Sequence, residues 1–397
     1  MKEIKEEIKK LSLKNFEEIK NIRRHIHTNP ELSFNETQTS KFIETKLLEF
    51  GITNINRIAK NGIVALIKGK NPTKKVIALR ADIDALPIIE ETNKTYKSIN
   101  TGIMHACGHD AHIASLLGVA KILQELRNSF NGTVKLIFQP AEEKLPGGAH
   151  QMITEGVLKN PDVDFIIAQH VEPTIESGKV GFKSGLYMAS TDEIYITVKG
   201  KGGHAAIPEE LTDTVLIASH IIVALQQIVS RNSRASIPTV LSFGKVTANG
   251  ATNVIPDEVF IEGTFRTMNE AWRESAHQKI SQIAKSVSEA MGGNATIYIK
   301  RGYPALINNP EITEKAIIAA TEYLGKENIE SLDIRMTAED FSYFTQAVPG
   351  LMYRLGTRNE KKGISHHLHT STFDIDENAL KTGMELMSFL TISLLNQ

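Results

Sequence analysis

Cysteine is almost absent from this chain, with one residue, Cys107, in 397. A lone cysteine excludes an intrachain disulfide and fits a reducing compartment. An excess of basic charge is also missing: 45 Lys and Arg stand against 46 Asp and Glu, a formal net charge of -1. Nucleic-acid binders usually carry a basic stripe, so no nucleic-acid partner is expected. No uninterrupted apolar run reaches the roughly 20 residues of a membrane span. The opening MKEIKEEIKKLSLKNFEEIKNIRRHIH alternates Lys and Glu on helical spacing and lacks the apolar centre of a signal peptide. Repeats and low-complexity tracts are absent as well. These absences lead to the expectation of a cytoplasmic protein without a membrane partner.

What remains is a globular composition, 41% hydrophobic and 23% charged. The chain is too long for one core of ordinary size, which implies two domains. Amphipathic helices are expected near 14–27 and 36–50, followed by alternating strands and helices. GIVALIKG (62–69) and KVIALRADIDALP (75–87) read as buried strands, TVKLIFQP and DFIIAQH as two more. Between them DAHIASLLGVAKILQELRN reads as a helix opened by Asp110, an N-cap candidate. Such alternation is the signature of an α/β domain, whose sites gather at the carboxyl ends of its strands. From about 185 the order becomes β-α-β-β-α-β, a split βαβ unit with a four-stranded antiparallel sheet. After 301 the α/β style resumes, with a helix near 310–324, a strand at 350–356 and a helix at 376–395. The expectation is an α/β catalytic domain of mixed sheet from residues 1–184 and 301–397, interrupted by a ferredoxin-like βαββαβ lid or dimerisation domain at 185–300.

Polar residues collect at the predicted strand ends. RADIDALP places Asp82 and Asp84 after an apolar strand, where burying two acids without compensation would be costly. MHACGHDAH carries His105, Cys107, His109, Asp110 and His112; FQPAEE ends in Glu142 and Glu143; AQH ends in His170; SHHLHTSTF holds His366, His367 and His369. Any one cluster reads equally well as a solvated loop or, for Cys107, as a thiol nucleophile. Four such clusters besides that of Cys107 point to a metal site, because a metal must draw its imidazole, thiolate and carboxylate ligands from several elements.

Together RADIDALP, MHACGHDAH, FQPAEE with GGA downstream, GKGGHAAIP, NVIPD, AEDF and LHTSTF resemble the amidohydrolase branch of the metallopeptidase superfamily that includes carboxypeptidase G, aminoacylases and succinyl-diaminopimelate desuccinylase. Within it the chain looks most like hippurate hydrolase, N-acetyldiaminopimelate deacetylase and the indole-acetyl-amino-acid hydrolases. The resemblance implies Cys107, His109, Glu143, His170 and His369 as metal ligands. Glu142 falls at the general base, and Asp84 at a carboxylate that orients a metal-bound imidazole. Asp82 stands where distant relatives have a ligating histidine and is not assigned as a ligand. Asp110 and His112 are expected to serve the helix start and its packing, while Glu339 and Asp340 look positional. His204, Asn253 and Arg266 are implied in substrate binding, His204 from a dimer partner. The resemblance also implies two divalent ions, Mn2+ or Zn2+ first, with Co2+ or Ni2+ compatible with a mixed S/N/O donor set. The implied reaction is hydrolysis of the amide of an N-acyl amino acid by hydroxide bridging the ions, in a homodimer or higher homo-oligomer. Alternatives are a di- or tripeptidase or carboxypeptidase on the same scaffold, or a silent binder of small ligands.

Overall fold

A computed structural model describes residues 1–396. The chain divides into two compact units, one comprising Met1–Gly185, Ile307–Asp333 and the residues from Asp340 on, the other Leu186–Leu306 and Ile334–Glu339. Each has its own apolar core.

The first unit opens with helices α1 (Lys2–Thr28) and α2 (Thr37–Glu49). α1 begins well before residue 14, because Ile8 and Leu11 in the Lys/Glu-rich segment are buried and extend its apolar stripe. Strands β1 (Ile55–Ile58), β2 (Gly62–Lys68) and β3 (Val76–Asp82) follow, then α3 (His109–Glu125), β4 (Thr133–Gln139), α4 (Gly148–Thr154), β5 (Phe165–Glu176) and β6 (Val180–Phe182). Together with Ile329–Ser331 and Gly350–Arg358 they make one eight-stranded sheet. Its order is β1, β2, β4, β3, β5, Gly350–Arg358, β6, Ile329–Ser331. β4, β3, β5 and Gly350–Arg358 run parallel, whereas β2 is antiparallel to β4 and β6 to Gly350–Arg358, so the sheet is mixed. Every residue of β3 and β4 is buried, as expected for central parallel strands covered on both faces. α3 packs with α1 and the helix Ala379–Leu395, and its residues are buried almost all round.

Two local details differ from the sequence reading. β3 stops at Asp82 instead of running to 87, although the Ile83 N–H still reaches Gln139 O at 2.9 Å. α3 starts at His109 with Gly108 as its N-cap residue, in the left-handed region at φ 80. Asp110 is therefore inside the first turn, and its carboxylate pairs with Arg23 at 2.7 Å and His27 at 2.8 Å instead of capping α3.

The second unit contains strands Asp192–Lys199, Thr239–Ala248, Glu258–Thr267 and Asn294–Arg301 and helices Thr214–Leu225 and Glu270–Ala290. The sheet is antiparallel throughout, in the order Thr239–Ala248, Glu258–Thr267, Asp192–Lys199, Asn294–Arg301. Ile194, Ile196 and Val198 alternate inward and meet Ile217, Ile221, Ile280 and Ala284 of both helices, so the helices share one face. The helical stretch Thr214–Asn232 has the length and composition of a membrane span, which the sequence reading had not singled out. Ile217, Ile221, Leu225 and Ile228 of that stretch enter the core of the unit, at helical spacing.

Candidate metal centre

Parallel strands β3, β4 and β5 end side by side, so the segments that leave them converge. Cys107 and His109 lie at the N-terminus of α3, Glu142 and Glu143 three and four residues past β4, and His170 within β5 near the end of its register with β3. His369 comes from the loop before Ala379–Leu395, where its N–H binds Ala106 O at 2.8 Å. The ligating atoms of Cys107, His109 and His170 lie within 4.8 Å of one another, as do those of Cys107, Glu143 and His369, and of His109, Glu142 and Glu143. The structure thus brings together all six residues named from the sequence as ligands or base. Five are buried or nearly so; the His369 side chain is 53% exposed.

Neighbouring groups aim the imidazoles. His109 Nδ1 is 2.9 Å from Asp84 O and 3.2 Å from Asp84 Oδ1, which makes Nδ1 the protonated nitrogen and turns the Nε2 lone pair into the cluster. His170 Nδ1 donates to Val171 O at 2.8 Å, leaving Nε2 3.6 Å from Cys107 Sγ. Asp84 also accepts from Ser33 Oγ at 2.6 Å and from the Glu143 N–H at 3.0 Å, so one buried carboxylate holds both the His109 ring and the Glu143 backbone. Asp82 lies deeper, paired with Arg80 at 2.7 Å and His112 at 2.5 Å, with His109 Nε2 3.7 Å away. Asp340 accepts from Arg80, Gln139 and the Ala149 N–H and so ties the ends of β3 and β4 to α4.

The electrostatics favour a cation. Burial opposes a charged His109 ring, but Asp82, Asp84 and Glu143 outweigh it and push its pKa up to about 10. Burial, reinforced by Glu143 and Glu142, holds the Cys107 thiol well above its ordinary value. Burial would raise Asp84, yet the bonds from His109, Ser33 and Glu143 N–H hold it below the usual range. His170 is driven well down by burial and by Arg354, which keeps it neutral. A protonated thiol beside a neutral imidazole whose Nδ1 is engaged elsewhere is not an activated nucleophile, which disfavours reading Cys107 as a thiol nucleophile.

A metal fits these residues. His109 Nε2 and Glu143 Oε1 are buried without hydrogen bonds and lie 3.8 Å apart, with the half-exposed His369 Nε2 3.3 Å from the same carboxylate oxygen. Buried ligand atoms left without hydrogen bonds are expensive unless something coordinates them. Thiolate, imidazole and carboxylate in one cluster suit a borderline divalent ion.

The residues implied in substrate binding belong to the second unit. His204 pairs with Val254 in a short antiparallel ladder, and the Ala205 N–H donates to Asn253 O at 3.0 Å, so His204 and Asn253 are brought to one exposed turn. Arg266 is half-buried on Glu258–Thr267, its Nε 3.3 Å from Thr264 Oγ1. Sequence reasoning missed Arg23, Ser33 and Glu36. Glu36, fully buried in the turn before α2, accepts from the Ala141 N–H at 2.8 Å and so sets the approach to the glutamate pair. The cue was thin: a glutamate among polar turn residues looks solvated until its partner, 105 positions on, is known.

Comparison with known proteins adds an independent line. Residues 78–392 match the model of peptidase family M20/M25/M40. N-acetyl-L-cysteine deacetylase of Bacillus subtilis is 39% identical over 95% of this chain and 88% of its own length. Thermostable carboxypeptidase 2 of Saccharolobus solfataricus is 38% identical over 95% of each chain. Among solved structures, YXEP of Bacillus subtilis, described as a dinuclear metal-binding peptidase of family M20, superposes with a TM-score of 0.81 at 34% identity, covering 96% of this chain and 98% of that one.

Proposed function

From the premise that the chain belongs to peptidase family M20/M25/M40 and is a hydrolase, we propose that it hydrolyses the amide bond of N-acyl amino acids, releasing a carboxylate and a free amino acid. The observation that carries this reading is the cluster of ligand atoms in which His109 Nε2 and Glu143 Oε1 are buried without hydrogen bonds, with the Glu142 carboxylate beside them. Cys107, His109, Glu143, His170 and His369 would hold two divalent ions, a number in keeping with the dinuclear relative. Mn2+ or Zn2+ leads, and Co2+ or Ni2+ also suits the donors. Such ions supply Lewis acidity to the amide carbonyl and lower the pKa of water towards about 7.

The protein's own residues do the proton work. Glu142 takes a proton from the attacking water as the new C–O bond forms, and returns it to the amide nitrogen as the C–N bond breaks. Glu143 is committed to metal and cannot share this task. Asp84 keeps His109 in the tautomer whose Nε2 is available. In the second unit, Arg266 is suited to pair bidentately with the substrate's carboxylate, while His204 and Asn253 offer hydrogen bonds to its carbonyl. The proposal includes a cytoplasmic homodimer or higher homo-oligomer, with His204 serving the partner's substrate.

A carboxypeptidase or peptidase reading keeps one specific support, the carboxypeptidase relative. The test sets N-acetyl amino acids, hippurate, dipeptides and tripeptides side by side, with metal analysis of the same preparation. N-acyl amino acids should turn over fastest and a chelator should abolish activity. Glu142→Gln should keep its ions and lose about 10²- to 10⁴-fold in kcat. Near wild-type turnover in that variant would refute the assignment of the base.

A further inference from the structure

His112 lies one helical turn into α3, fully buried, and the functional reading above gives it no task. Its two ring nitrogens are both engaged. The Val171 N–H donates to His112 Nε2 at 2.9 Å, so Nε2 is the acceptor and Nδ1 carries the proton. Nδ1 meets Asp82 Oδ1 at 2.5 Å, and Arg80 grips the other oxygen of the same carboxylate at 2.7 Å. The tautomer is thus set from both sides.

The position of that acceptor is informative. The register between β3 and β5 ends at the pair Arg80 and Ala168, while β5 continues beside Gly350–Arg358 through Glu172. Past Ala168 the β3 side of β5 has no ladder partner, yet a buried amide must find one. For Val171 the partners are two imidazoles: His112 accepts its N–H, and His170 Nδ1 donates to its carbonyl at 2.8 Å. One residue of backbone therefore connects His112 to the orientation of His170, whose Nε2 faces Cys107 Sγ.

We infer that His112 is a positioning residue: held by Asp82, its imidazole substitutes for the missing strand at the end of β5 and so aims His170 Nε2 into the metal centre. The inference rests on the proposed reading of His170 as a ligand. Metal affinity, and not folding alone, is then what His112 controls. Partners that orient a ligating imidazole usually weigh about 10- to 100-fold in metal affinity.

Two amide substitutions separate the two nitrogens. In His112→Asn the side-chain amide occupies the place of Nδ1 and can still donate to Asp82, but it is too short to accept from Val171. In His112→Gln the carbonyl oxygen reaches the place of Nε2 and restores that acceptor. The experiment titrates each metal-free protein with zinc(II), counts ions retained per chain after dialysis, and records the thermal transition of the metal-free form. His170→Ala is the direct control. Expected results are loss of one ion in His170→Ala, about 10- to 100-fold weaker binding of one ion in His112→Asn, and His112→Gln within about threefold of the parent. If His170→Ala keeps both ions at parental affinity, the ligand reading itself fails. If His170→Ala loses an ion while His112→Asn binds both as the parent does, the positioning role is refuted. Equal weakening in the Gln and Asn variants, tracking equal losses of metal-free stability, would overturn it too, because a merely structural histidine predicts that pattern.

Discussion

Loading the metal-free protein with zinc at pH 7 should expel about two protons per chain. The count follows from the centre's own groups. Cys107 holds its proton because burial, Glu143 and Glu142 all raise its pKa well above the ordinary thiol value, and only the thiolate binds metal. His109, pushed up to about 10 by its carboxylate neighbours, carries a proton on both nitrogens at neutral pH, and the ion must replace the one on Nε2. His170, held neutral, gives up none, while His369, drawn upward by Glu143 against the pull of burial, adds a fraction. Two protons released per chain make the overall constant for loading both ions rise about 100-fold per pH unit from pH 6.5 to the lower of the two raised pKa values. In the metal-free protein the sign is reversed. The folded His109 pKa lies above its unfolded value near 6.5, so its contribution to stability is complete below pH 6.5 and is lost as pH climbs to about 10. Calorimetric titration in two buffers of unlike ionisation enthalpy measures the released protons directly. Cys107→Ser should lower the count by about one. No release at pH 7, or a serine variant that releases as many protons as the parent, would refute the reasoning.

Gly108 sits between two proposed ligands at φ 80, and a Cβ there would lie 2.5 Å from Val171 Cγ2. Gly108→Ala should therefore cost about 2–5 kcal/mol, from left-handed strain and overpacking together, and weaken zinc binding; unchanged values of both in thermal melts and titrations would contradict this. In the second unit Asp192 holds Arg273 at 2.5 Å and His277 at 2.7 Å in a buried cluster. Asp192→Asn should destabilise that unit by about 3–5 kcal/mol, read through the fluorescence of the chain's one tryptophan, Trp272, which lies in the Arg273 helix. Burial would raise the Asp192 pKa, but His277 and Arg273 depress it to about 2, so its contribution is full above about pH 4 and is lost as pH falls towards 2. An acid transition identical in the parent and Asp192→Asn would count against this.

Much of the architecture is written in local pattern. Apolar runs such as TVKLIFQ and the 3.6-residue spacing of Pro310–Leu324 mark central strands and surface helices because burial follows strand and helix periodicity. Site residues at strand ends were legible for the same reason. Where the signal was local but ambiguous, the reading slipped: Asp110 has the chemistry of an N-cap, yet Gly108 takes the left-handed position and Asp110 turns to Arg23, 87 residues away. The first helix was expected only from about residue 14, whereas α1 starts at Lys2 because Ile8 and Leu11 of the Lys/Glu-rich segment reach the core.

By itself the sequence determined which chemistry was available: one thiol, a set of imidazoles, paired carboxylates, and the strands that would carry them. Tertiary structure alone decided which of the look-alike residues face the centre. His109 and His112 are three positions apart in one motif, but Asp84 turns Nε2 of the first into the cluster, while Asp82 and the Val171 amide engage both nitrogens of the second. The physical reason is that a ring's tautomer and direction are set by partners brought in from 25 to 59 residues away, which only the packed sheet places within hydrogen-bond range.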